Sequence, residues 1–340
     1  MHMADALISP AVGGIMWAVS AGFTGYSVRK LTKDPDEGIV PLMGVMGAFV
    51  FAAQMINFTI PGTGSSGHIG GGMLLSALLG PVGGFLTLAS VLLIQALFFG
   101  DGGLLAYGCN LANMGIFTSF VIYPLVWRRI MKKGVTAKRI WWGSVLSVVA
   151  ALQLGAFSVV LETFASGRTE LPFSAFVVLM QPIHLAIGVV EGLVTAAVLT
   201  FVWQARPELI EPNRAHLQPG VSLRKVLVVM GIAVVLTGGA LSLFASSYPD
   251  GLEWSMFGVM GEEEITAAGT FHSTFSDIQE KTAVLPDYTF KVPDGATELT
   301  ETAALAGTSV SGLVGGAMTL VLAGLIGFAV TRFRKRETHA

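Results

Sequence analysis

The sequence predicts an all-α integral membrane protein, and three observations lead to that class. Of its 340 residues, 53% are apolar and 12% charged, and the mean hydropathy of +0.69 lies outside the range of soluble globular domains. Apolar stretches recur at about 6–28, 39–60, 69–80, 82–99, 104–127, 140–164, 173–203, 223–247 and 308–331, most of them near the ~20 residues a helix needs to cross the hydrocarbon core. Lysine and arginine crowd into alternate connections. The expected architecture is a seven-helix bundle followed by two additional transmembrane helices that flank an outer loop.

Taken in order, the first stretch follows Met1-His2 without a basic leader and with Asp5 ahead of the apolar run, so it does not read as a cleavable signal. A bulky second residue such as His2 generally blocks methionine removal, so Met1 is expected to remain. The third stretch, Ile69 to Gly80, spans roughly 18 Å at ~1.5 Å per residue. It is expected to be buried among its neighbours or paired with the fourth across Gly80-Pro81. The fifth carries the single cysteine, Cys109, which precludes an intrachain disulfide and reads as a buried structural thiol. Pro207, Pro212 and Pro219 break the pattern and mark a boundary. The chain therefore divides into 1–205, a cytoplasmic linker 206–222, and 223–340. Between the last two helices lie about sixty residues rich in Asp and Glu, including Asp250, Glu253, Asp287 and Glu301. Gly312, Gly315, Gly316, Gly324 and Gly327 give the last helix a small-residue face suited to close packing in lipid.

Orientation follows from the basic residues. Arg29, Lys30 and Lys33, the six from Arg128 to Arg139, Arg206 to Lys225, and Arg332 to Arg336 fall on one side; Arg168, Lys281 and Lys291 are left for the other. The bias predicts a multi-pass protein of a prokaryotic cytoplasmic membrane, with its N-terminus outside, its C-terminus in the cytoplasm, and both His2 and His68 at the outer face.

His2 and His68 are the candidate chemistry. A free α-amine at Met1, the amide nitrogen of His2 and its imidazole lie within a few bonds and can chelate one divalent ion. His68, in the Gly-rich turn Thr63 to His68, would supply a fourth nitrogen. Four nitrogens suit the tetragonal geometry of Ni(II) or Cu(II) rather than the oxygen cages of Mg(II) or Ca(II). The competing reading is an ordinary initiator methionine and a surface histidine. Polar residues near the same ends, Gln54, Asn57, Gln95, Asp101, Asn110 and Asn113, together with Asp5 and Ser66, are candidates for orienting the imidazoles; interhelical hydrogen bonding without metal is the alternative. His184, Glu191, Gln181 and Glu162 read as a second polar cluster, favoured as structural over an ion path. His216, His272 and His339 read as solvated. The Gly62 to His68 turn lacks the Lys-Ser/Thr pair of a phosphate loop, and no His-Glu-x-x-His is present. No cofactor, enzymatic activity or nucleic-acid partner is expected.

Met1 to Pro10, Gln54 to Phe58, Gly64 to His68, Gln95 to Gly103 and the His184, Gly188, Glu191, Gly192 pattern together resemble the substrate-binding membrane subunit of cobalt/nickel energy-coupling-factor (ECF) transporters, the CbiM/NikM family, over about residues 1–205. Pro249-Asp250-Gly251-Leu252-Glu253 resembles the PDGLE signature of the small CbiN/NikN-like accessory subunit, so the chain looks like a fusion of the two. Met3 departs from the isoleucine common there. The resemblance implies an S-component-like bundle. It implies Ni2+ or Co2+ as transported ligand, held by Met1, His2 and His68 at the outer face. It implies, besides the lipid bilayer, a scaffold subunit (CbiQ/NikQ-like) and ATPase subunits (CbiO/NikO-like) as partners. Because amine and imidazole must lose protons to bind metal, binding is expected to fall in mild acid. An ion-gradient-driven secondary transporter using Glu162 and Glu191, and a vitamin-binding subunit of the same superfamily, are the alternatives.

Overall fold

A computed structural model describes residues 2–33, 38–168, 171–210, 221–262, 269–292 and 299–337. Met1, His216, His339, the acids Glu263, Glu264, Asp294 and Glu298, and most of the expected linker lie outside the described residues. The order is α1 (Pro10–Lys33), α2 (Ile39–Gln54), a hairpin of β1 (Phe58–Ile60) and β2 (Ser65–Gly67), α3 (Gly72–Ile94), α4 (Tyr107–Met131), α5 (Ala137–Ser166), α6 (Phe173–Ala205), α7 (Leu223–Gly239), α8 (Gly251–Met260), α9 (Thr270–Thr282) and α10 (Glu301–Glu337). Among the described residues six helical runs are long and apolar enough to cross a membrane, and α2 is a shorter apolar helix. The fold is an all-α membrane fold, because a helix satisfies its own backbone where no water is available to do so.

The stretches at 69–80 and 82–99 form one element rather than two separate crossings. Gly80 interrupts α3 with φ 71° and ψ 168°, a conformation closed to side chains with a Cβ. Pro81, which has no N–H to satisfy, then starts the second arm. The arms fold back on each other: a Cβ on Gly84 would lie 2.6 Å from the Ser76 nitrogen, and one on Gly72 3.4 Å from Leu88. The expected pairing across Gly80-Pro81 is what the structure contains.

Helices α5 and α6 run antiparallel, with Gly192 and Gly188 of α6 against Val145 and Val149 of α5. Thr136 caps α5 by accepting from the Arg139 N–H at 3.2 Å. The last helix packs its small face on two neighbours. A Cβ on Gly315 would enter the Phe51 ring of α2, and Gly312 meets the Gly238 backbone of α7. Within the acid-rich segment between α7 and α10 the described residues form α8 and α9, which lie across the His2 end of the bundle.

Between β2 and α3 the chain enters the bundle as non-helical backbone, residues 68–71, with Gly71 left-handed at φ 73°, and these groups need partners. Buried Glu191 of α6 accepts from Gly70 N–H at 2.8 Å and Gly71 N–H at 2.9 Å, one on each carboxylate oxygen, at the start of α3 where unpaired amides and the helix dipole favour a negative group. Gln54 donates to the Gly70 carbonyl at 3.0 Å and accepts from Gln95 at 2.7 Å. The three residues expected to cluster with His184 therefore divide. Gln181 and Gln153 each donate a side-chain amide to the other's backbone carbonyl, Glu162 accepts from Asn113 at 2.8 Å, and Glu191 closes the start of α3.

Two substitutions test this framework by thermal unfolding in detergent. Gly84→Ala forces the arms of α3 apart and is expected to cost about 1–3 kcal/mol. Glu191→Ala leaves two buried amides without acceptors, at about 1–3 kcal/mol each, and Glu191→Gln is expected to recover part of that loss; an unchanged midpoint for Glu191→Ala would show that the amides find other partners.

Candidate metal centre

The N-terminal segment is held to the turn before α4 by its backbone. Asn110 accepts from Met3 N–H at 2.7 Å and donates to Met3 O at 3.1 Å, while Gly103 N–H donates to the same carbonyl at 2.8 Å. Buried Asp5 accepts from Ala106 N–H at 2.9 Å. These bonds place His2 beside His68. The two imidazoles stack with centroids 5.2 Å apart and planes 18° from parallel. His68 Nδ1 lies 3.2 Å from the Ile69 carbonyl, which leaves Nε2 as its open nitrogen. His2 Nδ1 faces Asp101 Oδ2 at 3.5 Å, and His2 Nε2 is buried without a hydrogen-bond partner among the described residues. Burial lowers both imidazole pKa values, that of His68 to about 4, so both rings are neutral at pH 7 and able to donate lone pairs.

The residues expected to orient the imidazoles have separate tasks. Asp101 faces His2. It is delivered by a π-helical turn, Gln95–Phe99, closed by the Asp101 N–H to Gln95 O bond at 3.1 Å. Gln95 lines the cavity beside the ring pair. Asn110 and Asp5 act on backbone rather than on an imidazole. Asn113 points away to Glu162 and lies 3.7 Å from the Met3 sulfur. Asn57 and Ser66 serve the second half of the chain. The Asn57 carbonyl accepts from Ser246 N–H at 2.7 Å, Ser66 N–H donates to Pro249 O at 2.8 Å, and Ser66 Oγ donates to Tyr248 O at 2.7 Å.

Those last bonds belong to a seam in which each residue of the 249–253 motif has a physical role. The Pro249 carbonyl extends the hairpin from Ser66. Asp250 and Glu253 form the capping box of α8, with Leu252 N–H and Glu253 N–H on Asp250 Oδ1 and Asp250 N–H on Glu253 Oε2. Gly251 lies so close to α6 that a Cβ would come 3.0 Å from Ile187 and 3.1 Å from the His184 ring. Leu252 is buried, and Trp254 Nε1 donates to Thr63 O at 3.0 Å. His184 is buried with Nδ1 on Met180 O at 2.8 Å. His272, expected to be solvated, is instead buried, with Nε2 2.9 Å from Ile8 O; the N-terminal segment supplies a carbonyl that its own short 3-10 turn does not use.

A cavity of about 370 Å³ opens onto His2 and His68 between the two halves, lined also by Asp101, Asp250, Glu253 and Asp287. A second, of about 220 Å³, reaches the other side of His2 past the same Asp101, Glu253 and Asp287. The sequence carried no signal for Tyr288, whose hydroxyl donates to Asp101 Oδ2, or for Gln279, which donates to Ala96 O at 3.0 Å and Gly102 O at 2.9 Å. Both reach across from the second half to the turn that bears Asp101.

Comparison with known proteins agrees with this two-part layout. Residues 2–209 match the CbiM family model, the cobalt uptake substrate-specific transmembrane region, and residues 224–332 match the PDGLE domain. The chain is 34% identical over 336 residues to a putative fused nickel transport protein NikMN of Archaeoglobus fulgidus, covering 98% of this chain and 99% of that one. It is 31% identical over 282 residues to the fused nickel transport protein NikMN of Rhodobacter capsulatus, covering 78% of this chain and 77% of the relative. A crystal structure of a truncated transition metal transporter superposes with a TM-score of 0.53 at 27% identity, over 60% of this chain and 99% of that one. With the CbiM model matching well over half of its length and a PDGLE domain following, this chain belongs to the CbiM family of metal-uptake membrane proteins in its fused form.

Proposed function

We propose that this protein is the substrate-specific membrane component of an ECF-type ABC importer and captures Ni2+, or the closely similar Co2+, at the outer face of the cytoplasmic membrane. The observation that carries the reading is the meeting of His2 and His68, neutral and stacked, at the floor of a carboxylate-lined cavity. In this reading the Met1 amine, the His2 amide nitrogen and the His2 imidazole chelate the ion, and His68 Nε2 completes four nitrogens. The His2 chelate uses Nδ1, because metal, amide nitrogen, Cα, Cβ, Cγ and Nδ1 close a six-membered ring. Asp101 gives up that nitrogen at small cost, since 3.5 Å is longer than a well-formed N–H···O bond. A planar four-nitrogen site favours Ni(II), which is also the metal named for the fused relatives.

Residues 1–205 then form the metal-binding bundle, 206–222 a cytoplasmic linker, and 223–340 the accessory domain. Asp250, Glu253 and Asp287 line the way in and raise the local cation concentration, an effect that salt weakens. A scaffold subunit and ATPase subunits, CbiQ/NikQ-like and CbiO/NikO-like, supply ATP-driven coupling as separate chains. The N-terminus is outside and the C-terminus cytoplasmic, a reading supported by the bias of the basic residues in the connections.

Adding one residue ahead of Met1 moves the free amine away from His2 and leaves every side chain in place. Loss of outer-shell partners alone costs about ten- to a hundredfold in metal affinity, so this extension is expected to lower Ni(II) affinity by more than that, read by titration calorimetry and metal content; unchanged binding would remove the terminal chelate from consideration. The pH profile has a stated sign. A proton competes with metal only below the pKa of the group that binds it. The amine, near ~8, weakens binding about tenfold per pH unit below neutrality, and the His2 amide, which must also release its proton to bind, steepens that slope. His68, with its pKa lowered to about 4, adds to the slope only near that pH. Affinity independent of pH between 8 and 5 would exclude the amine as a ligand.

A further inference from the structure

Asp287 and Tyr288 are, among the described residues, the non-glycine residues with positive φ, at 48° and 58°. Left-handed backbone is costly for side chains with a Cβ, and two such residues in succession persist only where the surroundings over-determine them. Here they do. Val284 N–H and Leu285 N–H both donate to Phe98 O, at 3.0 and 3.3 Å, and Tyr288 N–H returns to Leu285 O at 3.2 Å. The Tyr288 ring stacks on Phe99 with centroids 5.1 Å apart and meets Phe51 edge-on at 6.4 Å. This turn directs the Tyr288 hydroxyl onto Asp101 Oδ2, the oxygen that lies 3.5 Å from His2 Nδ1. Gln279 fixes the same turn by binding the carbonyls of Ala96 and Gly102 on either side of Asp101.

We propose that Tyr288 is a positioning residue for divalent-cation capture: its hydroxyl holds Asp101 so that the carboxylate steadies the His2 imidazole without closing on Nδ1. The inference rests on the reading of His2 as a metal ligand. A free carboxylate beside an imidazole N–H closes to about 2.7–2.9 Å as a charge-assisted bond, and the metal must then break that bond. A carboxylate whose facing oxygen already accepts a hydrogen bond from the phenol is oriented and has less capacity left for the imidazole, and it stays at the longer distance. Burial first, and the Asp101 charge next, hold the Tyr288 phenol well above its ordinary pKa, so the hydroxyl keeps its proton and donates. His2 and Asp101 belong to the first half of the chain and Tyr288 to the second. One hydrogen bond thus connects the accessory half to the ligand set without any accessory side chain binding the ion.

The test is Tyr288→Phe in the full chain with its native N-terminus, which keeps the ring against Phe99 and Phe51 and removes only the hydroxyl. Ni(II) affinity by titration calorimetry is expected to fall about tenfold. The ligand-field absorption band of bound Ni(II) is expected to shift, and so are the 15N resonances of the His2 ring in the metal-free protein. In an Asp101→Asn background the same substitution is expected to change affinity less than about twofold, because the group it acts through has gone. An equal fall in both backgrounds marks a packing effect and overturns the positioning role. So does a Tyr288→Phe protein with wild-type affinity and spectra. Wild-type protein that binds neither Ni(II) nor Co(II) overturns the reading of the site itself. Should Tyr288→Phe not fold, 3-fluorotyrosine at 288 keeps the shape with a stronger donor and is expected to raise affinity; no change there overturns the proposal.

Discussion

Non-helical backbone inside a bundle must find hydrogen-bond partners, and the segment that carries His68 into α3 depends on that constraint. Residues 68–71 are neither helix nor strand, and Gly71 among them is left-handed. The carboxylate of Glu191 takes the amides of Gly70 and Gly71, and Gln54, itself held by Gln95, takes the Gly70 carbonyl. Those three side chains tie the loop to α2, α6 and the end of α3, and His68 stands beside His2 of the N-terminal segment. The His184, Gly188, Glu191, Gly192 pattern has a division of labour. The glycines let α6 approach α5, His184 packs under Gly251, and Glu191 holds the loop.

The second half of the chain is built onto this loop rather than beside it. Ser66 is bonded through both its amide and its hydroxyl to the backbone at 248–249, and Trp254 reaches Thr63, so the hairpin before His68 is gripped from outside as Glu191 grips it from within. His272 performs the same service for the N-terminal segment, and Gln279 with Tyr288 for the Asp101 turn. All three strands of the candidate site are thereby braced by one accessory segment. A fused chain keeps that segment at high effective concentration, so the bracing does not depend on a separate encounter.

Charge is divided across the site. The two imidazoles are neutral, while the carboxylates that line the cavities belong to other elements and, in Asp250, also cap a helix. Neutral nitrogen donors select for a borderline transition ion, and a carboxylate-lined approach attracts cations without discriminating among them.

Much of this was legible in the sequence. Hydropathy predicted the membrane class, and the shortness of Ile69 to Gly80 with Gly80-Pro81 after it predicted the hairpin of α3, because helix rise and glycine conformation are local properties. The pairing of His2 with His68 followed from the chemistry of a terminal chelate and from the resemblance of separated motifs. Tertiary structure decided the rest. Asn113 turns to Glu162, Asn110 and Asp5 hold backbone, and His272 is buried, because each polar group takes the nearest unpaired partner, and that partner is fixed by packing between segments distant in the chain. Tyr288 had no signal of its own: a tyrosine in an acid-rich loop becomes informative only when a left-handed turn, held by Phe98 and Phe99, directs its hydroxyl onto Asp101. Local propensity and periodicity determine which elements form; long-range hydrogen bonding, which neither records, decides what each polar side chain does.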